Sequence, residues 1–207
     1  SGNKTVAFEL SDGIVYSLNA IVKDTSLNLG KITDGLDLYF SGEGKNNLSA
    51  NKDVWSYGDY TGTFTGFAWT ERSGWKDNRL VISEGCSFSI DAKPLDKDVT
   101  EIGKTIEFEF KTTNVTDDNT VLLDMRDASG AGILITATKV SITSNAGVTV
   151  ETEFKENELV RIGFVINKSQ NVTRKGLTLI YCNGISSRCI NRGASDTYEV
   201  DKNITFI

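Results

Sequence analysis

Strict alternation of apolar and polar residues is the feature that most constrains this chain. In "TIEFEFK" (105–111), Ile106, Phe108 and Phe110 fall on one parity, and Glu107, Glu109 and Lys111 on the other. Successive side chains of a strand point to opposite faces, so such a segment buries one face and wets the other only when it is extended. The same period runs through "TVAFEL" (Val6, Phe8, Leu10), "GLDLYF" (Leu36, Leu38, Phe40), "CSFSI" (Cys86, Phe88, Ile90) and "VRIGFVI" (Val160, Ile162, Phe164, Ile166). It returns at 121–125, 133–138, 140–143 and 148–154. Between these runs lie clusters such as "DASGAG" and "TSNAG", which have the composition of turns. No stretch longer than a turn or two carries a helical period. About a dozen short strands, each with one wet face, predict an all-β fold, a two-sheet antiparallel β-sandwich. A length of 207 residues suits one such domain.

Near the end of the chain, "LTLIYCNGISS" (177–187) is an apolar run broken by Asn183-Gly184, the residue pair best able to adopt the positive φ that a two-residue hairpin turn needs. That turn puts Cys182 opposite Ile185 and Cys189 opposite Thr178, a register that disfavours a 182–189 disulfide. Cys86, Cys182 and Cys189 are an odd set with no Cys-x-x-Cys spacing, so neither a disulfide framework nor a zinc site is indicated. They read as small buried hydrophobes in a protein assembled in a reducing compartment. Histidine is absent, which removes the commonest general base and every Ser-His or Cys-His nucleophile.

The net charge is −6, the isoelectric point is near 4.8, and no Lys/Arg cluster is dense, so the electrostatic footprint for a phosphate backbone is missing. No apolar run approaches the ~18 residues that span a bilayer. Neither nucleic acid nor membrane is an expected partner. The opening Ser1-Gly2, without an initiator Met, reads as a cloning scar, so the lack of a targeting segment carries little weight.

In order, "LYFSGEGKNN", "TGTFTGFAWTERSGWKDNRLVISEG", "GKTIEFEFKTTNV", "VRIGFVINKS" and "LTLIYCNGI" resemble the laminin-G-like, concanavalin A-like jelly rolls. Within that superfamily the chain is most similar to versions common in bacteriophage tail and appendage proteins. The likeness covers residues 34–207. Tyr181 to Gly184 fits the family's Y-x-N-G hairpin, and Gly103 to Lys111 fits the strand opening the conserved half of its sandwich. Residues 1–33 lie outside it, and "FELSDGIVYSLNAIVKD" reads as two further strands, an accessory hairpin or the end of a preceding domain. In the resembling proteins a strand like "NITFI" is followed by one more closing strand. The 34–207 jelly roll is therefore expected to be truncated at its C-terminus, part of a longer chain or a homo-oligomer. Residues 5–10 or 14–22 are expected to fill an edge of the sandwich.

Glu107 and Glu109 alternate on one strand, as acid and nucleophile carboxylates do in jelly-roll glucanases, which suggests a glycoside hydrolase. The resemblance stops there, because Phe110 and Lys111 stand where a further carboxylate belongs. Alternating charge is also what any half-exposed strand shows.

The aromatic segment is the second candidate. Trp55, Tyr57, Tyr60, Phe64, Phe67, Trp69 and Trp75 include every tryptophan of the chain. Flat apolar rings with a polar handle suit sugar stacking, and Trp55, Tyr57, Tyr60 and Trp75 are the candidate carbohydrate-binding residues; Phe67 and Trp69 share parity with core positions. Asp117, Asp118 and Asn119, with Asp124 and Asp127, are oxygen ligands of the kind calcium accepts, and some members of the resembling family carry it. Neither stretch has calcium-loop spacing, so turn chemistry explains them better, and no cofactor or metal is assigned.

The resemblance implies a non-enzymatic virion protein of a phage tail, fibre or appendage, assembled in the bacterial cytoplasm. Other virion proteins would be its partners, and host-surface polysaccharide a ligand. A jelly-roll glycoside hydrolase and a bacterial cell-surface adhesin module are the alternatives.

Overall fold

The computed structural model describes residues 2–9, 15–22, 36–96, 103–167, 177–191 and 197–207, with side chains from 36 onward except at 186–191. The chain divides into two compact units, Ser1–Tyr39 and Phe40–Ile207. The first contains β1 (Gly2–Glu9) and β2 (Val15–Val22), paired antiparallel over all eight residues from Gly2↔Val22 to Glu9↔Val15. These strands form a two-stranded sheet of their own.

The second unit is the sandwich. Along the chain come β3 (Trp55–Tyr57), β4 (Tyr60–Thr65), β5 (Gly74–Lys76), β6 (Arg79–Val81), β7 (Ser87–Ile90) and β8 (Lys104–Phe110). They are followed by β9 (Val121–Asp124), β10 (Gly132–Thr136), β11 (Lys139–Thr143), β12 (Thr149–Glu153) and β13 (Val160–Ile166), then β14 (Leu177–Cys182), β15 (Ile185–Asn191) and β16 (Ile204–Phe206). An eight-stranded sheet runs β12-β11-β10-β9-β16-β7-β4-β3, and a four-stranded sheet runs β15-β14-β13-β8. β5 and β6 form a separate ribbon. All pairings are antiparallel, giving a two-sheet sandwich of the jelly-roll kind.

Alternation becomes packing as the period requires. On β8, Ile106 is buried while Glu107 and Glu109 stay exposed, and on β13 Val160, Ile162, Phe164 and Ile166 are all buried. Facing them, the large sheet buries Phe88, Ile90, Leu123, Ile133, Ile135 and Ile142. Fully burying each such side chain stabilises the fold by about 1.5–3 kcal/mol. Rings lock the layers together: Phe108 on β8 meets Phe206 on β16 edge-on at 5.8 Å, and Phe110 meets Phe154 at 5.1 Å.

The last strand lies inside the large sheet. Ile204, Thr205 and Phe206 of β16 pair with Ile90, Ser89 and Phe88 of β7, and Phe206 pairs with Leu123 of β9 on the other side. Two sequence readings shift in detail. "GLDLYF" keeps its alternating exposure over 36–40 but does not form a strand there. The β14–β15 hairpin keeps Cys182↔Ile185, yet a bulge between Ile180 and Tyr181 moves Cys189 opposite Leu179 rather than Thr178. Asn183 and Gly184 both have the positive φ the turn demands, 52° and 81°.

Candidate functional site

The aromatic segment folds as a continuous cluster over one end of the large sheet. β3 and β4 form a tight hairpin, with Trp55↔Gly62 and Tyr57↔Tyr60 in register. Parity places Trp55, Tyr57, Tyr60, Gly62 and Phe64 on the core face. Gly62 is needed there: a Cβ would sit 2.6 Å from Phe88 Cε2 and 3.0 Å from Trp55 Cε3. Phe40, Trp55, Phe64 and Phe88 then close on one another, with centroids 4.5 Å apart for Phe64–Phe88, 4.8 Å for Phe40–Phe88 and 5.5 Å for Phe40–Trp55.

This packing corrects two of the four candidate residues. Trp55 is 7% exposed and Trp75 3%, so neither offers a ring face to a ligand. Trp75 is fixed at every polar atom: its indole N–H donates to the Lys52 carbonyl at 2.7 Å, its backbone N–H donates to Asn47 Oδ1, and its carbonyl accepts from Asn47 Nδ2. Tyr57 and Tyr60 differ. They are the last pair of the hairpin, on either side of the Gly58-Asp59 turn where the core face runs out, and both remain partly exposed. As cross-strand partners, the two residues lie on the same face of the hairpin.

The other end of β4 holds what parity missed. Phe67 and Trp69 were assigned to the interior by alternation, but both stay partly exposed and stack on one another, centroids 5.2 Å apart and planes at 25°. Gly66 has φ 79° and Trp69 φ 56°, so 66–69 is not an extended strand and alternation does not fix which way these rings point. Gly66 and Gly74, on either side, are the sequence signal for a loop here.

The glutamates of β8 are otherwise engaged. Arg161 on β13 donates to Glu107 at 2.8 Å, and Arg79 on β6 donates to Glu109 at 3.2 Å. All four side chains are about half exposed on the outer face of the small sheet. The residues opposite them on β13 are Gly163 and Arg161, not a third carboxylate.

The acidic stretches form turns. Asp117 Oδ1 accepts from Asn119 N at 2.8 Å, and Asp127 Oδ1 accepts from Ser129 N at 2.8 Å and from Ala131 N at 3.1 Å. The Ser129 hydroxyl and those backbone N–H groups hold the Asp127 carboxyl below the usual carboxylate range against slight desolvation. Among the described residues no three His, Cys, Asp or Glu side chains gather as metal ligands. Cys86 is buried. Burial pushes its thiol up, but hydrogen bonds with Ser73 and Ser83 outweigh that and hold it below the ordinary thiol value. Cys182 is a free thiol pushed up by burial.

No family model matches the chain, and no curated protein matches its sequence. Among solved structures, it is similar to the receptor binding domain of botulinum neurotoxin D, at 14% identity and a TM-score of 0.48, over 72% of this chain and 40% of that one. It is also similar to the binding domain of Paraclostridial Mosquitocidal Protein 1, at 12% identity and 0.44, over 60% of this chain and 33% of that one. A third is the binding domain of Botulinum neurotoxin DC in complex with rat synaptotagmin II, at 14% identity and 0.40, over 75% and 37%. Each is a partial likeness. The chain spans about a third to two fifths of the length of these structures.

Proposed function

We propose that this chain is a non-enzymatic binding module whose ligand is a surface polysaccharide. The observation that carries this reading is the pair Tyr57 and Tyr60, neighbours across the β3–β4 turn and partly exposed at one end of an aromatic cluster in which Trp55, Trp75 and Phe88 are buried. A rigid aromatic surface with polar tips is the chemistry that sugar rings require, because their C–H faces are apolar and their edges are hydroxylated. The absence of histidine and the engagement of Glu107 and Glu109 by arginines weigh against hydrolysis.

The setting we propose is a phage virion, as part of a tail, fibre or appendage that meets the host surface, with other virion proteins as partners. The solved structures named above are toxin binding domains, so the virion setting rests on the resemblance in sequence alone. A bacterial surface adhesin would use the same site in the same way.

Retention of the whole chain on immobilised polysaccharides, together with reducing-end release from the same polysaccharides in solution, tests the reading. Retention without release is expected. Release above background would make the chain a hydrolase, and failure to be retained on any polysaccharide would remove the binding role.

A further inference from the structure

Loop 66–73 presents its aromatic pair on a fixed support. Phe64 meets Phe67 and Trp69 edge-on, at 5.7 Å and 5.3 Å, so the stacked pair is backed by the core. The loop is closed by Thr70 and Ser73, which exchange backbone hydrogen bonds of 2.9 Å and 3.1 Å. The Ser73 hydroxyl lies 3.1 Å from the Cys86 thiol, which in turn donates to the Gly66 carbonyl at 3.3 Å. Both ends of the loop thus converge on one buried sulfur. Gly74 makes the closure feasible, since a Cβ there would sit 2.9 Å from the Thr70 carbonyl oxygen and 3.0 Å from Trp69 Cα.

The rim of the pair carries both signs of charge. Glu71 and Arg72 are exposed, and Lys76 pairs with Glu71 at 3.6 Å. Such a rim, which offers donors and acceptors together without a net field of one sign, fits neutral hydroxyls better than a charged ligand. A flat apolar patch bordered in this way matches a pyranose ring, with its C–H face and its hydroxyl edge. A pre-closed loop also loses little freedom when a ligand binds.

We infer that Phe67 and Trp69 form the ring-stacking platform for a neutral polysaccharide. This inference rests on the polysaccharide-binding reading above, and it places the ring contact at the opposite end of β4 from Tyr57 and Tyr60.

The tryptophans supply the test. Trp55 and Trp75 are buried, so acrylamide quenching of fluorescence in the whole chain reads Trp69. Dextran, mannan and a soluble β-glucan are titrated as probes, and affinity electrophoresis on the same three polymers measures retention independently. At least one polymer is expected to shield Trp69 from acrylamide. Trp69→Gly, which suits the left-handed backbone, and Phe67→Ala are each expected to weaken retention roughly tenfold, while Glu107→Gln/Glu109→Gln, on the outer face of the small sheet, stays within about twofold. Retention lost in Tyr57→Ala/Tyr60→Ala but kept in Trp69→Gly and Phe67→Ala would overturn the platform and leave polysaccharide binding standing. Failure of the wild-type chain to bind any of the three would overturn both. Shielding that grows with protein concentration and without sugar would make the pair a self-contact and also overturn the platform.

Discussion

Asn47 grips the backbone of Trp75 at two points, accepting its N–H at 2.7 Å and donating to its carbonyl at 2.9 Å. The amide thus stands in for a neighbouring strand and ties the turns of residues 42–54 to β5. Gly74 belongs to the same clasp, because a Cβ there would fall on Asn47 Oδ1. Asn47→Ala removes both bonds and leaves two sheltered backbone groups unpaired, a loss of about 2–4 kcal/mol. Asn47→Asp keeps the acceptor and is expected to lose less. Urea unfolding of the two variants checks the order, and equal losses would show that the donor half of the clasp contributes nothing.

Thr178 on β14 is fully buried, and its hydroxyl has no hydrogen-bond partner among the described residues. A buried polar atom without a partner costs stability, so Thr178→Val, which keeps the shape and removes the hydroxyl, is expected to be neutral or to stabilise by up to about 2 kcal/mol. A lower melting temperature for Thr178→Val would mean that the hydroxyl is satisfied.

Asp124 and Arg126 pair through two side-chain bonds, Nε to Oδ1 at 2.9 Å and the second guanidinium nitrogen to Oδ2 at 2.7 Å. The Arg126 side-chain bond is the main cause that holds the Asp124 carboxyl below its usual range; desolvation opposes it and the Arg126 backbone N–H assists it. A carboxylate whose folded pKa is depressed contributes stability that is present above its unfolded pKa of roughly 3.9 and is lost as pH falls through the folded value. Asp124→Asn is therefore expected to melt lower than the wild type at pH 7, with the gap narrowing as the pH falls below about 3.9. A gap that stays constant from pH 7 into that acid range would remove the pair as its cause.

The sandwich was legible wherever one strand face is wet, as on β8 and β13, because alternation records burial directly. It was not legible where pairing depends on partners far away in the chain. Residues 36–40 alternate without forming a strand, and the place of β16 between β7 and β9 is set by contacts with Phe88 and Leu123 more than 80 residues earlier. The candidate site shows the same limit. Alternation did not separate Trp55 and Trp75, which are buried, from Phe67 and Trp69, which stay partly exposed, because positive φ at Gly66 and Trp69 ends the extended stretch on which a parity argument depends. Tyr57 and Tyr60 escape burial for a simpler reason, since the hairpin carries them past the last core residue.

Glu107 and Glu109 supply a further test. Their ion pairs with Arg161 and Arg79 are half exposed, so each contributes no more than about 1 kcal/mol and is screened by salt. Glu107→Gln/Glu109→Gln is expected to fold nearly as well as the wild type, with the difference in melting temperature shrinking in 1 M NaCl, where the Debye length is about 3 Å. Polysaccharide turnover should stay at background in both proteins. Hydrolysis by the wild type that disappears in the double variant would falsify the non-enzymatic reading.

Gly62 and Phe88 meet across β4 and β7, and the fit leaves no room for a methyl group. Phe88 is 1% exposed, held between Phe40, Phe64 and Trp55, with Phe206 stacked at 6.4 Å, so its ring cannot swing aside when a Cβ arrives 2.6 Å from Cε2. Gly62→Ala is expected to destabilise by about 1–3 kcal/mol through overpacking, although the backbone at that position suits alanine. Phe88→Leu should also destabilise, by leaving a cavity. Combined, the two should cost less than their sum, because leucine vacates the space the new methyl needs, and contacting residues in such a pair couple by about 0.5–3 kcal/mol. Additive losses in a double-mutant cycle would show that the strain of Gly62→Ala falls on Trp55, 3.0 Å away on the other side, and not on Phe88.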